Sequence, residues 1–166
     1  MPFSDILRRS LVILGLLLAV LAAAPAAVAD DAGALNQALT LYDQQRYDEA
    51  RAILEQLDAD GKLGGTMLYR LSFCQRVGGD AREQATLARA VEALGGEVEQ
   101  ASDLEPAFYL VNSYLNLGQQ EPATVAAAAA TARVESGELA VADDPLEWFR
   151  VGKLYADQGK REQATG

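Results

Sequence analysis

The stretch that decides the reading is Trp148-Phe149-Arg150-Val151-Gly152-Lys153-Leu154-Tyr155-Ala156-Asp157-Gln158-Gly159-Lys160-Arg161-Glu162-Gln163-Ala164. Trp148, Val151, Gly152 and Tyr155 recur at three- and four-residue spacing, the signature of an amphipathic helix. Gly159 then marks a tight turn, and Ala164 lies five residues into a second helix. Working back along the chain, Leu110-Val111-Asn112-Ser113-Tyr114-Leu115-Asn116-Leu117-Gly118 followed by Ala123 keeps the tyrosine, glycine and alanine positions. Ala38 and Leu41, then Tyr47-Asp48-Glu49-Ala50 with Leu54 and Leu57, form an earlier copy. Leu68, Leu71, Ser72 and Gly79-Asp80 form another, in which Gln84 stands where alanine is expected.

Ala38 and Ser72 are 34 residues apart, Ser72 and Val111 are 39, and Val111 and Gly152 are 41. This pattern resembles the tetratricopeptide repeat, which has a period of about 34 residues. The resemblance covers about residues 32–164 and is most complete in the last copy, where only Val151 departs from the usual leucine. It implies an all-α fold of antiparallel helix hairpins stacked as a right-handed superhelix. The repeats are placed at about 31–64, 65–98 and 104–137, with an incomplete one at 145–166.

Physics supports the signature. A helical hairpin cannot bury both its faces alone, so each stacks on its neighbours. Small residues at Ala38, Ser72 and Gly152 let paired helices approach, and Leu41, Tyr114, Trp148 and Tyr155 fill the space between hairpins. Breaks are expected at Asp60-Gly61, Gly64-Gly65, Gly78-Gly79, Gly95-Gly96, Gly118 and Gly159. The residues in excess of the period fall in 95–104 and 136–144, read as loops. Pro106, Pro122 and Pro145 sit in first helical turns, with Ser102 or Asp103 and Asp144 as caps. The run Ala126–Ala130 reads as close helix packing.

The amino-terminal residues have another character. Arg8 and Arg9 precede an apolar run from Leu11 to Leu21, and the segment ends in Ala27-Val28-Ala29. That is the form of a secretory signal peptide, residues 1–29, with cleavage after Ala29 and a domain of residues 30–166 in the periplasm. The alternative is an uncleaved anchor, since apolar residues continue to Ala29.

Composition limits the chemistry. The chain has 166 residues, 24 acidic and 14 basic, for a net charge of −10, which disfavours nucleic acid. It has no histidine and one cysteine, Cys74, so histidine-based catalysis, cysteine zinc sites and internal disulfides are excluded. Cys74 reads as a buried small hydrophobe. Asp30-Asp31 and Asp143-Asp144 lack the ligand spacing of a calcium loop, and no phosphate loop occurs. No metal, cofactor or enzymatic activity is expected.

The resemblance implies a role. In this family the first helix of each repeat lines the concave surface. The position three before the small residue holds Leu35, Tyr69, Phe108 and Phe149, and the position after it holds Leu39, Phe73, Asn112 and Lys153. These aromatics either line a groove or complete the hairpin cores. In the groove reading Tyr69, Phe73, Phe108 and Phe149 supply apolar pockets, while Arg76, Asn112, Asn116 and Lys153 read a peptide backbone or carboxylate. The paired-carboxylate clamp of heat-shock co-chaperones is matched only at Asn112 and Lys153. The expected function is a cell-envelope adaptor or assembly factor that binds a segment of another protein. The alternative is a self-assembling structural protein that oligomerises through its carboxy-terminal hairpin.

Overall fold

A computed structural model describes residues 31–143 and 145–157, apart from the side chain of Trp148. The expected signal segment, the Asp144 cap, Gly159, Ala164 and the second helix of the last hairpin lie outside the described residues. The chain divides into two compact units, residues 1–34 and 35–166. The first contributes only Asp31–Ala34 to the described residues, the opening turn of a helix.

Seven helices are described: α1 (Asp31–Asp43), α2 (Tyr47–Ala59), α3 (Gly65–Val77), α4 (Glu83–Gln100), α5 (Glu105–Asn116), α6 (Gln120–Glu135) and α7 (Pro145–Asp157). No strand occurs among the described residues. Helices pack in order along the chain, each against the next. The first helices also meet one another, α3 against α5 and α5 against α7, whereas the backbones of α2, α4 and α6 stay apart.

The core repeats with the helices. One cluster joins Ala38 and Leu41 of α1 to Ala50 and Leu54 of α2 and to Leu71 and Cys74 of α3. The next joins Leu68 of α3 to Ala90 and Leu94 of α4 and to Tyr109 and Leu110 of α5. The last joins Ala107 and Val111 of α5 to Ala123, Ala127 and Ala130 of α6 and to Val151 and Leu154 of α7. Each cluster is therefore a hairpin closed by the first helix of the following pair, the arrangement expected when no hairpin can bury itself. Ala38, Ser72 and Val111 are all buried, and Gly152 is half-buried. The alanine-rich α6 turns Ala123, Ala127 and Ala130 inward and leaves Ala128 and Ala129 exposed.

The turns within the hairpins share one geometry. Gln45, Gly79 and Gly118 adopt φ of 61°, 67° and 73°. In each turn the following amide donates to a carbonyl five residues back: Arg46 to Leu41, Asp80 to Gln75 and Gln119 to Tyr114, at 2.8–2.9 Å. This is a Schellman ending, which needs a left-handed residue. Residues 45, 79 and 118 repeat with the same spacing as Ala38, Ser72 and Val111. Gly61 and Gly137 close α2 and α6 in the same way.

Two expectations are corrected. Gly95-Gly96 is no break, since α4 runs through both glycines to Gln100. Tertiary contacts hold this last turn. Leu94 is buried, and Val98 packs against two core clusters. Arg133 of α6 donates to the carbonyls of Val98 (2.6 Å) and Ala101 (2.9 Å), satisfying oxygens that a helix end leaves open. The Glu97 carboxylate accepts from the amides of Gly65 (2.6 Å) and Thr66 (3.2 Å), so the end of α4 caps the start of α3. The second correction concerns Gln84, which is exposed. Here α4 begins only at Glu83, and its buried row is Leu87, Ala90 and Leu94.

The loop expected at 95–104 is therefore shortened to 101–104, while that after α6 keeps its expected place. Asp103 Oδ1 accepts from the Glu105 amide at 2.9 Å at the start of α5. The loop of residues 136–143 buries Leu139 and donates from Ala140 N to Ser102 O at 3.1 Å.

Candidate first-helix binding face

Helical spacing puts Tyr69, Phe73 and Arg76 on one face of α3, Phe108, Asn112 and Asn116 on one face of α5, and Phe149 and Lys153 on one face of α7. The structure brings the aromatics of the first set together through a residue that the repeat pattern did not single out. Tyr109 stacks on Tyr69 with ring centroids 4.5 Å apart and lies 5.9 Å from Phe108. Phe108 meets Phe149 edge-on at 6.4 Å. Tyr69 and Phe108 are half-buried and rest on the middle core cluster, while Phe149 at the end of the row is 61% exposed. Phe108 therefore lies between the two readings: its inner side is core and its outer side is surface.

Phe73 does not join this row. It forms a triangle of edge-on contacts with Tyr42 and Tyr47, at 5.3–5.7 Å. In the first repeat Leu35 turns to the core cluster instead. The polar members all have partners, two within their own helix and one across from α3 to α5. Asn112 Nδ2 donates to Phe108 O (2.7 Å), Lys153 pairs with Asp157 (2.6 Å), and Arg76 Nη1 donates to Asn116 Oδ1 (2.9 Å).

Two arginines tie the rows into one surface. Arg70 Nη2 and Arg150 Nη2 both reach Glu105 Oε1, at 2.7 and 3.2 Å, and Arg150 Nη1 also bonds Glu147. The two guanidinium carbons lie 5.8 and 5.9 Å from the Tyr109 ring centroid. Arg70 also lies over Tyr42 and Arg150 over Phe108. These ion pairs are mostly withdrawn from water, where attraction is screened little and cation–π contacts are strongest. One carboxylate thus joins α3, α5 and α7, an arrangement that holds the aromatic row in fixed register.

The repeat pattern did not mark Arg70, Tyr109, Arg150 or Glu105. A signal was present: Arg70, Tyr109 and Arg150 all stand two residues before the small position, next to the aromatic one.

Burial raises the phenol pKa of Tyr69 and of Tyr109, so both hydroxyls stay protonated at neutral pH. Cys74 is buried, and burial pushes its thiol up to about 11, leaving little thiolate. Among the described residues no group of three or more cysteines, aspartates and glutamates gathers to hold a metal ion. No helix among them is long and apolar enough to cross a membrane. No protein-family model matches the chain, and no curated protein matches it.

Proposed function

We propose that the protein is a non-enzymatic scaffold of tetratricopeptide type whose first-helix face receives a segment of another protein. One observation carries this reading: the row Tyr69, Tyr109, Phe108 and Phe149, fixed across three helices by arginines and ending in an exposed phenylalanine. A preorganised aromatic strip costs little entropy to engage, and it is the contiguity of the row, rather than one exposed side chain, that supports a contact surface. The contacts of α3 with α5 and of α5 with α7, without like contacts among second helices, support an inner, concave position for this face. The shared turns at 45, 79 and 118 support repeat hairpins, and with them the right-handed superhelix of that family.

The place of action is the periplasm in this proposal. The basic Arg8-Arg9, the apolar run and Ala27-Val28-Ala29 support export and cleavage before Asp30. Amino-terminal sequencing of an osmotic-shock fraction should read from Asp30. Intact Met1 in the membrane pellet would refute export in this form.

The binding face is tested with a photoreactive phenylalanine analogue at position 149 and, as a control, at Val125, an exposed position on α6. Discrete adducts at 149 and none at 125 are expected in envelope extracts. Phe108→Ala and Phe149→Ala then separate binding from folding. Phe149→Ala should change stability by less than about 0.5 kcal/mol, as an exposed substitution. Phe108→Ala should cost about 2 kcal/mol, between a surface and a fully buried aromatic. Equal adducts at 149 and 125 would refute the face.

A further inference from the structure

Ion pairing over the described residues singles out one cation. Of ten described lysines and arginines, nine place a charged nitrogen within 4.0 Å of a carboxylate oxygen. The tenth is Arg76, whose polar partner is the neutral amide of Asn116. Acid is not scarce in a chain with 24 carboxylate residues against 14 basic ones.

Arg76 is also held rather than free. It is exposed in the last turn of α3, with its guanidinium carbon 5.0 Å from the Phe73 ring centroid. Asn116, the last residue of α5, takes one Nη1 hydrogen at 2.9 Å. A cation in a last helical turn complements the helix dipole, and that alone demands neither the ring nor the amide. A guanidinium has five N–H donors in a planar fork that matches a carboxylate. With one donor on Asn116, the fork keeps the others, and Asn116 keeps its Nδ2 donors. One turn back on α5, Asn112 donates its Nδ2 to Phe108 O and keeps Oδ1 to accept a peptide N–H.

We infer that Arg76 and Asn116 form a carboxylate-reading subsite on the first-helix face, and that it takes an aspartate or glutamate side chain within the partner segment. This rests on the reading of that face as the binding face. Charge complementarity argues for the carboxylate: an unpaired, oriented cation on a strongly acidic chain attracts what the rest of the surface repels. An internal residue fits better than a chain end, because aromatic surface lies on both sides of Arg76. Phe73, Tyr42 and Tyr47 lie toward α1 and α2, and the Tyr69 to Phe149 row extends across α5 to α7.

The test uses the full exported chain and a displayed library of short random peptides. Selected peptides are then synthesised with amidated carboxy-termini. The expected result is an aspartate or glutamate enriched at one position next to apolar residues. Arg76→Gln should weaken binding about ten-fold or more, the scale of a charge-assisted hydrogen bond. Replacing the peptide's acid by its amide should do the same, and the two losses should not add. Arg89→Gln, which removes an exposed but paired arginine of α4, should leave binding unchanged. Arg76→Gln should keep the parent's helical spectrum and Tm, since the side chain is exposed. Binding that is sensitive to Phe149→Ala but not to Arg76→Gln would overturn the subsite and leave the face standing. Binding that needs a free carboxy-terminus would overturn the internal acid. Peptides indifferent to both substitutions, or no selected peptide, would overturn the face and the subsite together.

Discussion

Gly65 and Gly95 should respond in opposite directions to the same added methyl group. Gly65 opens α3 against the end of α4 and is buried. A Cβ built there would lie 2.5 Å from Leu94 N, 2.7 Å from Leu94 Cγ and 3.0 Å from Ala93 C. Ordinary contact begins near 3.4 Å, and two of these atoms are backbone, so the helices themselves must separate by up to about an ångström. That separation opens the packing around the fully buried Leu94 and stretches the 2.6 Å bond from Gly65 N to Glu97. Overpacking costs about 1–3 kcal/mol, and a weakened charged hydrogen bond adds about 1 kcal/mol, so Gly65→Ala should lose about 3 kcal/mol. Gly95 lies in the interior of the same α4, exposed, with nothing within 4 Å of a built Cβ. Alanine there should gain about 0.5–1 kcal/mol from helix propensity. Urea titrations followed by the helical signal at about 222 nm measure both, read from midpoints at constant m-value. A Gly65→Ala protein as stable as its parent would refute the close approach of α3 and α4. A destabilised Gly95→Ala protein would refute the continuation of α4 through the glycine pair.

Arg133→Met keeps the aliphatic stem but removes the donors to Val98 O and Ala101 O. It should cost about 1–3 kcal/mol and speed hydrogen exchange of amides 97–101, while unchanged protection there would show that the turn holds itself. Gln45 takes the left-handed conformation that Gly79 and Gly118 take in the other hairpins. Gln45→Gly should therefore raise stability by about 0.5–1 kcal/mol in a denaturant titration, and a loss would contradict the strained turn. Acid should destabilise the fold through two carboxyls. Arg82 holds Asp80 down at about 2 through side-chain and then backbone hydrogen bonds, and hydrogen bonding to Arg89 draws Asp58 below the usual range. Both pKa values are depressed by folding, so their contribution is complete above the unfolded value near pH 4 and is lost as pH falls toward about 2. Asp58→Asn should flatten the fall in Tm over that window, and an unchanged slope would show that the Arg89 pair contributes nothing to it.

Periodicity along the chain was enough to place the repeat positions. Ala38, Ser72 and Val111 lie on the apolar stripe of their own helices and are buried, and Gly79 and Gly118 turn their hairpins through bonds within five residues. Stacking was legible as well, since a hairpin with two apolar faces has no other way to cover them. The fate of Gly95-Gly96, by contrast, was set by tertiary contacts. Local chemistry reads two glycines as a break, but Arg133 and Gly65, 35 and 32 residues from their partners in that turn, hold it helical. The candidate face divides in the same way. Tyr69, Phe108 and Phe149 share a repeat position and were legible. Their junction at Tyr109, and the sharing of Glu105 by Arg70 and Arg150, were not. The two ion pairs span 35 and 45 positions, and which side chains meet across a helix interface depends on the crossing of the helices, a quantity that no single repeat encodes.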